Sequence, residues 1–271
     1  MKNKKLRIGR IPYANLFPIF YYLDKKCDHK EYSFVRGVPS KLNKMLRSGE
    51  LDISPSSSIE FLKNKNKYRI LPWHSISSTG PIKSILLFSR IPIQDLGGKT
   101  IAVTSDSATS TVMLKVILRE FFSLTCRFKQ TDKRCVKNIL SSSSAVLHIG
   151  DTAMLEAKKL LAVSGKWSAP FVYDLGELWY EYTGHPFVYA LWIVRKKSLY
   201  EKTDLIKKLS YDLINAKKYA HKKLSSIAKE APQTKWISEK ELVDYWKIIS
   251  YEFTEKHMEG LRLFEKYALK K

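Results

Sequence analysis

Short apolar runs alternate with amphipathic stretches over the first 195 residues of the chain. The apolar runs have the length of buried strands, and the stretches between them carry the three-to-four residue spacing of helices. This alternation predicts an α/β fold with a largely parallel sheet whose two faces are covered by helices. The predicted strands include Leu51–Ser54, Tyr68–Leu71, Ser84–Ser89, Thr100–Thr104, Ala145–Ile149 and Phe187–Val194.

Several helices can be placed from their ends and their apolar faces. Pro39 opens one whose apolar face is Leu42, Met45 and Leu46, and Gly49 is placed to cap its end. Ser57 and Glu60 have the spacing of a capping box for a helix that begins near Ile59. Another helix follows Ser110, with apolar pairs at 113/114, 117/118 and 121/122, and a further one runs from Gly150 to about Leu161. The chain is predicted to be helical from Ser198 onwards.

Two long apolar strands, Ser84–Ser89 and Phe187–Val194, bracket one block of alternating strands and helices. No segment between them is long enough to be a linker between independent domains. This arrangement predicts two α/β lobes joined by a pair of crossover strands. The first lobe is predicted to contain residues 1–88 with 194–271, and the second residues 89–193.

Composition and charge narrow the function classes. The net charge of +22 raises the possibility of nucleic-acid binding, but the lysines are dispersed in pairs among acidic residues and no nucleic-acid-binding motif is present. Cys27, Cys126 and Cys135 lack metal-ligand spacing. No run of about 18 apolar residues or secretory leader is visible. We therefore expect a cytoplasmic protein without metal, cofactor, nucleic-acid or membrane partner, and the sequence leaves its oligomeric state open.

Four polar clusters follow predicted strands. They are Tyr13 with Asn15, Ser56 to Ser58, Ser77 to Gly80, and Ser105 to Thr111. One such cluster usually only caps a helix, as Asn15 would by itself. If several clusters contact one ligand, that ligand is better explained as an anion with more than one acidic group. The reason is that helix N-termini and hydroxyl groups bind carboxylates and phosphates. Asp151 fits a cap and a ligand contact equally well.

Other chemistry has little support in the sequence. P-loop, GxGxxG and GxSxG patterns are absent, which argues against phosphoryl transfer, nucleotide redox chemistry and acyl transfer. His148 lies at the end of a predicted strand and is the histidine best placed to reach a ligand. A lone histidine is nevertheless more often structural than catalytic.

The ordered motifs resemble the chorismate dehydratase family of the futalosine route to menaquinone. The resemblance covers residues 7–195 and rests on the segments RIPYANLFPIFY (10–21), GVPSKLNKMLRSGELDISPSSSIEF (37–61), SISSTGPIKSILLFS (75–89), SDSATSTVMLKVIL (105–118), HIGDTAM (148–154) and YDLGELWYEYTGHPFVYALW (173–192). It implies a periplasmic-binding-protein type II fold with two lobes around a central cleft. The sister family that forms 1,4-dihydroxy-6-naphthoate carries Ile-His-Glu where this chain has Ile149-Gly150-Asp151, so the dehydratase family is the better match. A small-carboxylate receptor of the same fold is a further alternative, although receptors are normally exported.

The resemblance also implies a substrate and a site. The substrate is chorismate, a dianion, which loses water to give 3-[(1-carboxyvinyl)oxy]benzoate. Asn15 and Ser84 are expected to carry the chemistry. The expected substrate-binding residues are Ser56, Ser57 and Ser58 for one carboxylate, Thr109 and Ser110 for the other, and Tyr13, Ser78, Thr79 and Asp151 as further contacts. Since no cluster supplies a convincing base, we expect the enolpyruvyl carboxylate of chorismate to take the proton, and His148 to be dispensable.

Overall fold

The structure is a computed structural model that describes residues 5–104, 108–162 and 171–270. The strands of these residues are β1 Leu6–Arg10, β2 Tyr32–Arg36, β3 Ile53–Ser57, β4 Tyr68–Ser78, β5 Ile85–Ser89, β6 Thr100–Thr104, β7 Arg127–Thr131, β8 Ala145–Ile149, β9 Phe171–Asp174 and β10 Phe187–Arg195. The helices are α1 Phe17–Lys25, α2 Pro39–Ser48, α3 Ser58–Lys63, α4 Ala108–Val116, α5 Val136–Leu140, α6 Gly150–Ala162, α7 Leu175–Thr183, α8 Lys196–Glu201, α9 Thr203–Ala228, α10 Glu239–Ile248 and α11 Glu255–Ala268.

The chain forms two compact units, each with its own sheet. Unit 1 contains residues 5–77 and 188–255, and unit 2 contains residues 78–187 and 256–270 outside the gaps given above. These bounds lie some residues from the predicted lobe bounds, and they group the last helix with unit 2. The division into lobes at residues 88/89 and 193/194 stays a prediction.

The sheet of unit 1 has the strand order β2-β1-β3-β10-β4. Strand β1 is parallel to β2 and to β3, whereas β10 runs antiparallel to β3. Because β1, β2 and β3 are parallel, their carboxyl ends lie at one edge of the sheet. That edge carries Tyr13 and Asn15 after β1, and Ser58 after β3.

The sheet of unit 2 has the order β7-β6-β8-β5-β9. Strand β6 is parallel to β7 and β8, and β5 is antiparallel to both β8 and β9. Both sheets are therefore mixed. The predicted parallel arrangement holds for β1, β2 and β3 and for β6, β7 and β8, but β10 runs antiparallel to β3, and β5 to β8 and β9. An apolar run such as β5 or β10 shows that a strand is buried on both faces, but it carries no information on the strand's direction.

Local patterns placed several elements correctly. Strands β6 and β8 have the predicted bounds, and Gly49 ends α2 in the left-handed conformation with φ of 88°. The predicted amphipathic helix begins at Ala108 as α4, and Ile117–Phe121 continues it as a π-helical turn. On its predicted apolar face Met113, Leu114, Ile117 and Leu118 are fully buried, whereas Phe121 and Phe122 are half-buried.

The last helix packs within unit 2 through aromatic side chains. Phe264 lies 4.8 Å from Phe187 between ring centroids, and Phe187 lies 5.0 Å from Trp179. Gly260 permits this approach, because a Cβ atom there would lie 2.1 Å from the carbonyl oxygen of Pro186. These contacts explain why α11 belongs to unit 2.

Candidate active site

Asn15 lies in the 3-10 turn Ala14–Leu16 that connects β1 to α1. Two residues from the C-terminal region of unit 1 hold the backbone of this turn. Trp246 donates its indole N–H to the carbonyl of Ala14 (2.8 Å), and Tyr251 donates its hydroxyl to the carbonyl of Asn15 (2.6 Å). The side-chain oxygen Oδ1 of Asn15 is buried and has no hydrogen-bond partner among the described residues. Since buried polar atoms are normally paired, this oxygen is a candidate contact for a ligand donor.

Tyr13 precedes the same turn and is half-buried. It occupies the N-cap position of the turn with extended backbone, and its side chain makes no cap hydrogen bond. Asn15 also does not cap α1, because the N-cap residue of that helix is Leu16. The simple capping role that Asn15 could have had is therefore excluded.

The three serines at 56–58 are all buried but have different environments. Ser58 donates its hydroxyl to the carbonyl of Val188, and Ser57 accepts a hydrogen bond from the Asn43 amide (3.2 Å). Ser56 is fully buried, and its hydroxyl has no partner within the described part of the chain. Ser56 is consequently the serine whose side chain is not already used by the fold.

The predicted capping box at the start of α3 is wrong. Ser57 is the N-cap residue of α3, but its side chain makes no cap hydrogen bond. The Glu60 carboxylate is instead bound by Arg47, Tyr68 and Asn64. A long-range ion pair thus replaces the local contact that the spacing suggested.

Ser84 lies immediately before β5 in unit 2 and is buried. Its carbonyl accepts a hydrogen bond from the backbone N–H of Gly150, 2.7 Å away, which ties the start of β5 to the start of α6. Lys83, the preceding residue, has a left-handed backbone with φ of 59°. Such a conformation is unfavourable for lysine and needs support from its surroundings.

Asp174 supplies that support and was not predicted as a site residue. Its buried carboxylate accepts backbone hydrogen bonds from Ile82 and Lys83, and it also caps α7 by accepting from Gly176 and Glu177. Burial raises the pKa of Asp174, and the four N–H donors oppose that rise. The spacing of Asp174 and Glu177 before an apolar helix was a visible capping signal, but its contacts with residues 82–83 are long-range.

Ser78 and Thr79 lie where β4 ends. Ser78 is buried and donates its hydroxyl to the carbonyl of Gly80 (2.9 Å), and Gly80 turns the chain with φ of 83°. Thr79 is exposed. The Ser78 hydroxyl therefore shapes the turn, and the Thr79 side chain faces solvent.

Thr109 and Ser110 lie in the first turn of α4, and Asp151 lies in the first turn of α6. Thr109 and Ser110 are buried, and Asp151 is half-buried. Because β6 and β8 are parallel neighbours, the two helices begin at the same edge of the sheet, where helix N-termini favour anions. The other residues of that predicted cluster, 105–107, lie outside the described residues.

His148 is fully buried near the end of β8, and its ring centroid lies 6.2 Å from that of Phe88 with an interplanar angle of 62°. Burial lowers the pKa of His148, so the imidazole is neutral near neutral pH. Neither ring nitrogen makes a hydrogen bond within the part of the chain that is described. The ring also lines a cavity of about 160 Å³ that includes Thr131, Arg134 and Thr152.

The described residues contain no group of three His, Cys, Asp or Glu side chains that could hold a metal ion. Within the same ranges, the structure has no helix with the length and apolar character needed to cross a membrane.

Known structures identify the fold as that of the periplasmic binding proteins. The chain is similar to the periplasmic aliphatic sulphonate-binding protein of Escherichia coli, with a TM-score of 0.66, 13% identity, and coverage of 98% of this chain and 93% of that chain. It is also similar to a protein of Archaeoglobus fulgidus, with a TM-score of 0.79, 17% identity, and coverage of 98% and 97%. These identities show the fold alone.

Sequence comparison gives the family. The family model described as menaquinone biosynthesis matches residues 6–270. The chorismate dehydratase of Thermus thermophilus is 31% identical over 199 residues, covering 70% of each chain. The chorismate dehydratase of Campylobacter jejuni is also 31% identical over 199 residues, covering 72% of this chain and 70% of the relative. This protein belongs to the menaquinone biosynthesis family.

Proposed function

We propose that this protein is a chorismate dehydratase, a hydro-lyase that converts chorismate to 3-[(1-carboxyvinyl)oxy]benzoate. The observation that carries the proposal is the 31% identity to two chorismate dehydratases over about 70% of the chain. The match of the menaquinone biosynthesis family to residues 6–270 supports it. The proposal extends to the futalosine route as the pathway and to the cytoplasm as the location.

The elimination needs few charged protein groups. The C3 proton moves to the enolpyruvyl carboxylate of chorismate, the C3 electron pair forms the new ring double bond, and the C4–O bond breaks. The proton taken by the carboxylate then passes to the departing oxygen, which leaves as water. Aromatisation of the ring drives the step, and a base tethered to the substrate gains effective concentration over a free one.

Asn15 and Ser84 are proposed to act on the reacting ring and the leaving hydroxyl through hydrogen bonds. The unpartnered Oδ1 of Asn15 supports this role, because it can accept a hydrogen bond from the substrate hydroxyl and fix its orientation without breaking a contact of the fold. For Ser84, the support is its fixed backbone. Its carbonyl accepts from the N–H of Gly150, and Asp174 holds the N–H of the preceding residue, Lys83. Preorganised donors, such as the Asn15 amide N–H and the Ser84 hydroxyl, can stabilise negative charge on the departing oxygen without rearranging.

The substrate carboxylates are proposed to bind to the serines of unit 1 and to the start of α4. Among Ser56 to Ser58, the hydroxyl of Ser56 is the best candidate, since the Ser58 hydrogen is already donated to Val188. Thr109 and Ser110 would bind the second carboxylate, and Tyr13, Ser78, Thr79 and Asp151 would supply further contacts. Because Lys and Arg outnumber Asp and Glu, the chain has a net charge of +22, and this positive charge helps to attract the dianion from a distance.

The proposal is tested by incubating purified protein with chorismate and following the products by mass spectrometry and ultraviolet absorbance. We expect a product lighter by one water that has the absorbance of a substituted benzoate. Tight binding of chorismate without loss of water would instead identify a small-carboxylate receptor of the same fold. No binding and no turnover would exclude both functions.

A further inference from the structure

Unit 1 contains a cavity of about 720 Å³ between α9, the bend of β4 at Trp73 and residues 246–252. Its walls include Trp73, Lys218, Leu224, Trp246 and Tyr251. None of the site residues predicted from the sequence is among the described residues that line it. The cavity is large enough for a small organic ligand.

Trp73, in the aromatic wall of this cavity, has an unusual backbone conformation. Trp73 is 62% exposed and has φ of 70°, in the left-handed region that bulky side chains rarely adopt. Lys217 donates to the carbonyl of Trp73 (2.7 Å) and so helps to hold this conformation. Residues held in such sparsely populated backbone conformations cluster at active sites and ligand-binding sites.

The charge of the lining is positive. Lys217 also forms an ion pair with Glu252 (2.9 Å), so the acidic side chain of the wall is neutralised. Lys247 is exposed and lies 3.3 Å from Asp244. Lys218 is exposed as well, and it makes no ion pair with any described residue. An anionic group at the mouth of the cavity would therefore meet an uncompensated ammonium group.

We propose that this cavity binds an aromatic carboxylate. The aromatic part lies against Trp73, Leu224 and Trp246, and the carboxylate lies beside Lys218. Aromatic side chains pack well against a planar ligand, and the lysine selects its anionic end. The binding itself does not depend on the proposed enzymatic function.

The walls of the cavity also hold the turn that carries Asn15. Trp246 and Tyr251 are the residues that donate to the carbonyls of Ala14 and Asn15. The backbone of Tyr251 is fixed on its other side, where its carbonyl accepts from the N–H of Ser75 in β4. A ligand that contacts Trp246 and Tyr251 would shift the position of Asn15, and this regulatory effect rests on the proposed function.

Binding is tested by isothermal titration of the full chain with biphenyl-4-carboxylate, using neutral biphenyl-4-carboxamide as the comparison ligand. We expect saturable binding of the carboxylate that Lys218→Gln weakens about two- to fivefold. Lys222→Gln, at an exposed position of the same helix outside the cavity lining, should bind as the natural chain does. The carboxamide should bind more weakly than the carboxylate to the natural chain and equally to the two variants.

Absence of saturable binding, or equal affinities of the Lys218→Gln and Lys222→Gln variants, would overturn the proposal. Competitive displacement of the probe by chorismate would also overturn it, because the probe would then occupy the substrate site. The regulatory effect is tested by adding the probe to turnover assays: the natural chain should change its rate, and Tyr251→Phe should bind the probe but respond less. A chain that binds the probe as expected but never converts chorismate would contradict only the proposed function.

Discussion

Tyr251 donates its phenolic hydrogen to the backbone carbonyl of Asn15 across 2.6 Å, although 236 positions separate the two residues. Burial of this hydroxyl raises the pKa of Tyr251 well above its usual value, so it remains a donor across the neutral range. The tail of the chain therefore positions the turn that carries the proposed catalytic amide. The C-terminal region therefore supports the candidate site, although its sequence contains no recognisable motif.

Removing this hydrogen bond should reduce catalysis more than substrate binding. We expect Tyr251→Phe to lower kcat for chorismate about tenfold with little change in KM, because the Asn15 amide loses its fixed position. Tyr211→Phe is the matched control, since Tyr211 is 65% exposed on α9. Steady-state kinetics of both variants provide the measurement. An equal kcat in the natural chain and in Tyr251→Phe would show that the contact is only structural.

Replacing Asp174 should disturb the segment that leads to Ser84. Asp174→Ala leaves the N–H groups of Ile82, Lys83, Gly176 and Glu177 without their acceptor, so we expect a loss of about 3 kcal/mol in the free energy of unfolding. Denaturant titration measures this loss. Turnover under conditions where the variant is folded should also fall, because Lys83 is no longer held in its left-handed conformation.

Glu177→Gln is the control for Asp174→Ala, because Glu177 is exposed and contributes only its backbone N–H to the carboxylate. It should retain both stability and turnover. If the two variants unfold at the same denaturant concentration, the carboxylate of Asp174 does not organise this region.

Substrate-assisted proton transfer predicts that His148 and Asp151 are dispensable as bases. We expect His148→Asn and Asp151→Asn, assayed separately across pH, to keep kcat within about threefold of the natural chain. A protein base would contribute about 10²- to 10⁴-fold. A loss of that size in either variant, with chorismate binding intact, would assign the base to the protein.

The buried histidines predict how stability depends on pH. Burial, with a smaller contribution from Lys217, lowers the pKa of His74 to about 3. The unfolded chain titrates near its ordinary value of about 6.5, so protons bind the unfolded state first as the pH falls. The free energy of unfolding should therefore decrease by up to about 1.4 kcal/mol per pH unit for this residue between about pH 6.5 and 3.

Denaturant titration at several pH values in that range measures this effect. His74→Gln should lose less stability on acidification than the natural chain, and the lowered pKa of His148 should account for part of the remaining loss. His29→Gln, at an exposed position, controls for removal of a histidine as such. Identical pH dependence of the natural chain and His74→Gln would contradict the assignment.

Local signals predicted the strands and helix ends that depend on neighbouring residues. The apolar runs gave β6 and β8 their correct bounds, and Gly49 marked the end of α2. Strand direction could not be predicted, since the apolar pattern of β10 is the same in either orientation. The capping box at Ser57 failed for a related reason, because Arg47 and Tyr68 bind Glu60 from other elements.

In the candidate site too, local sequence signals could not reveal the contacts between distant residues. Asn15, Ser56 and Ser84 could be selected because they follow or precede apolar runs and match family motifs. The residues that hold them, Tyr251 and Asp174, act through contacts with distant parts of the chain that no local spacing reveals. Only the fold shows that the Ser58 hydroxyl is already used while the Ser56 hydroxyl is not.

The rate of chorismate dehydration by Asn15→Ala and Ser84→Ala, each compared with the natural chain, tests the central claim most directly. Chorismate binding is measured alongside, so that loss of catalysis is separated from loss of affinity. We predict that the natural chain forms 3-[(1-carboxyvinyl)oxy]benzoate and that each variant loses at least about 10²-fold in kcat while still binding chorismate. Near-natural turnover in both variants would contradict the assignment of Asn15 and Ser84 as the catalytic residues.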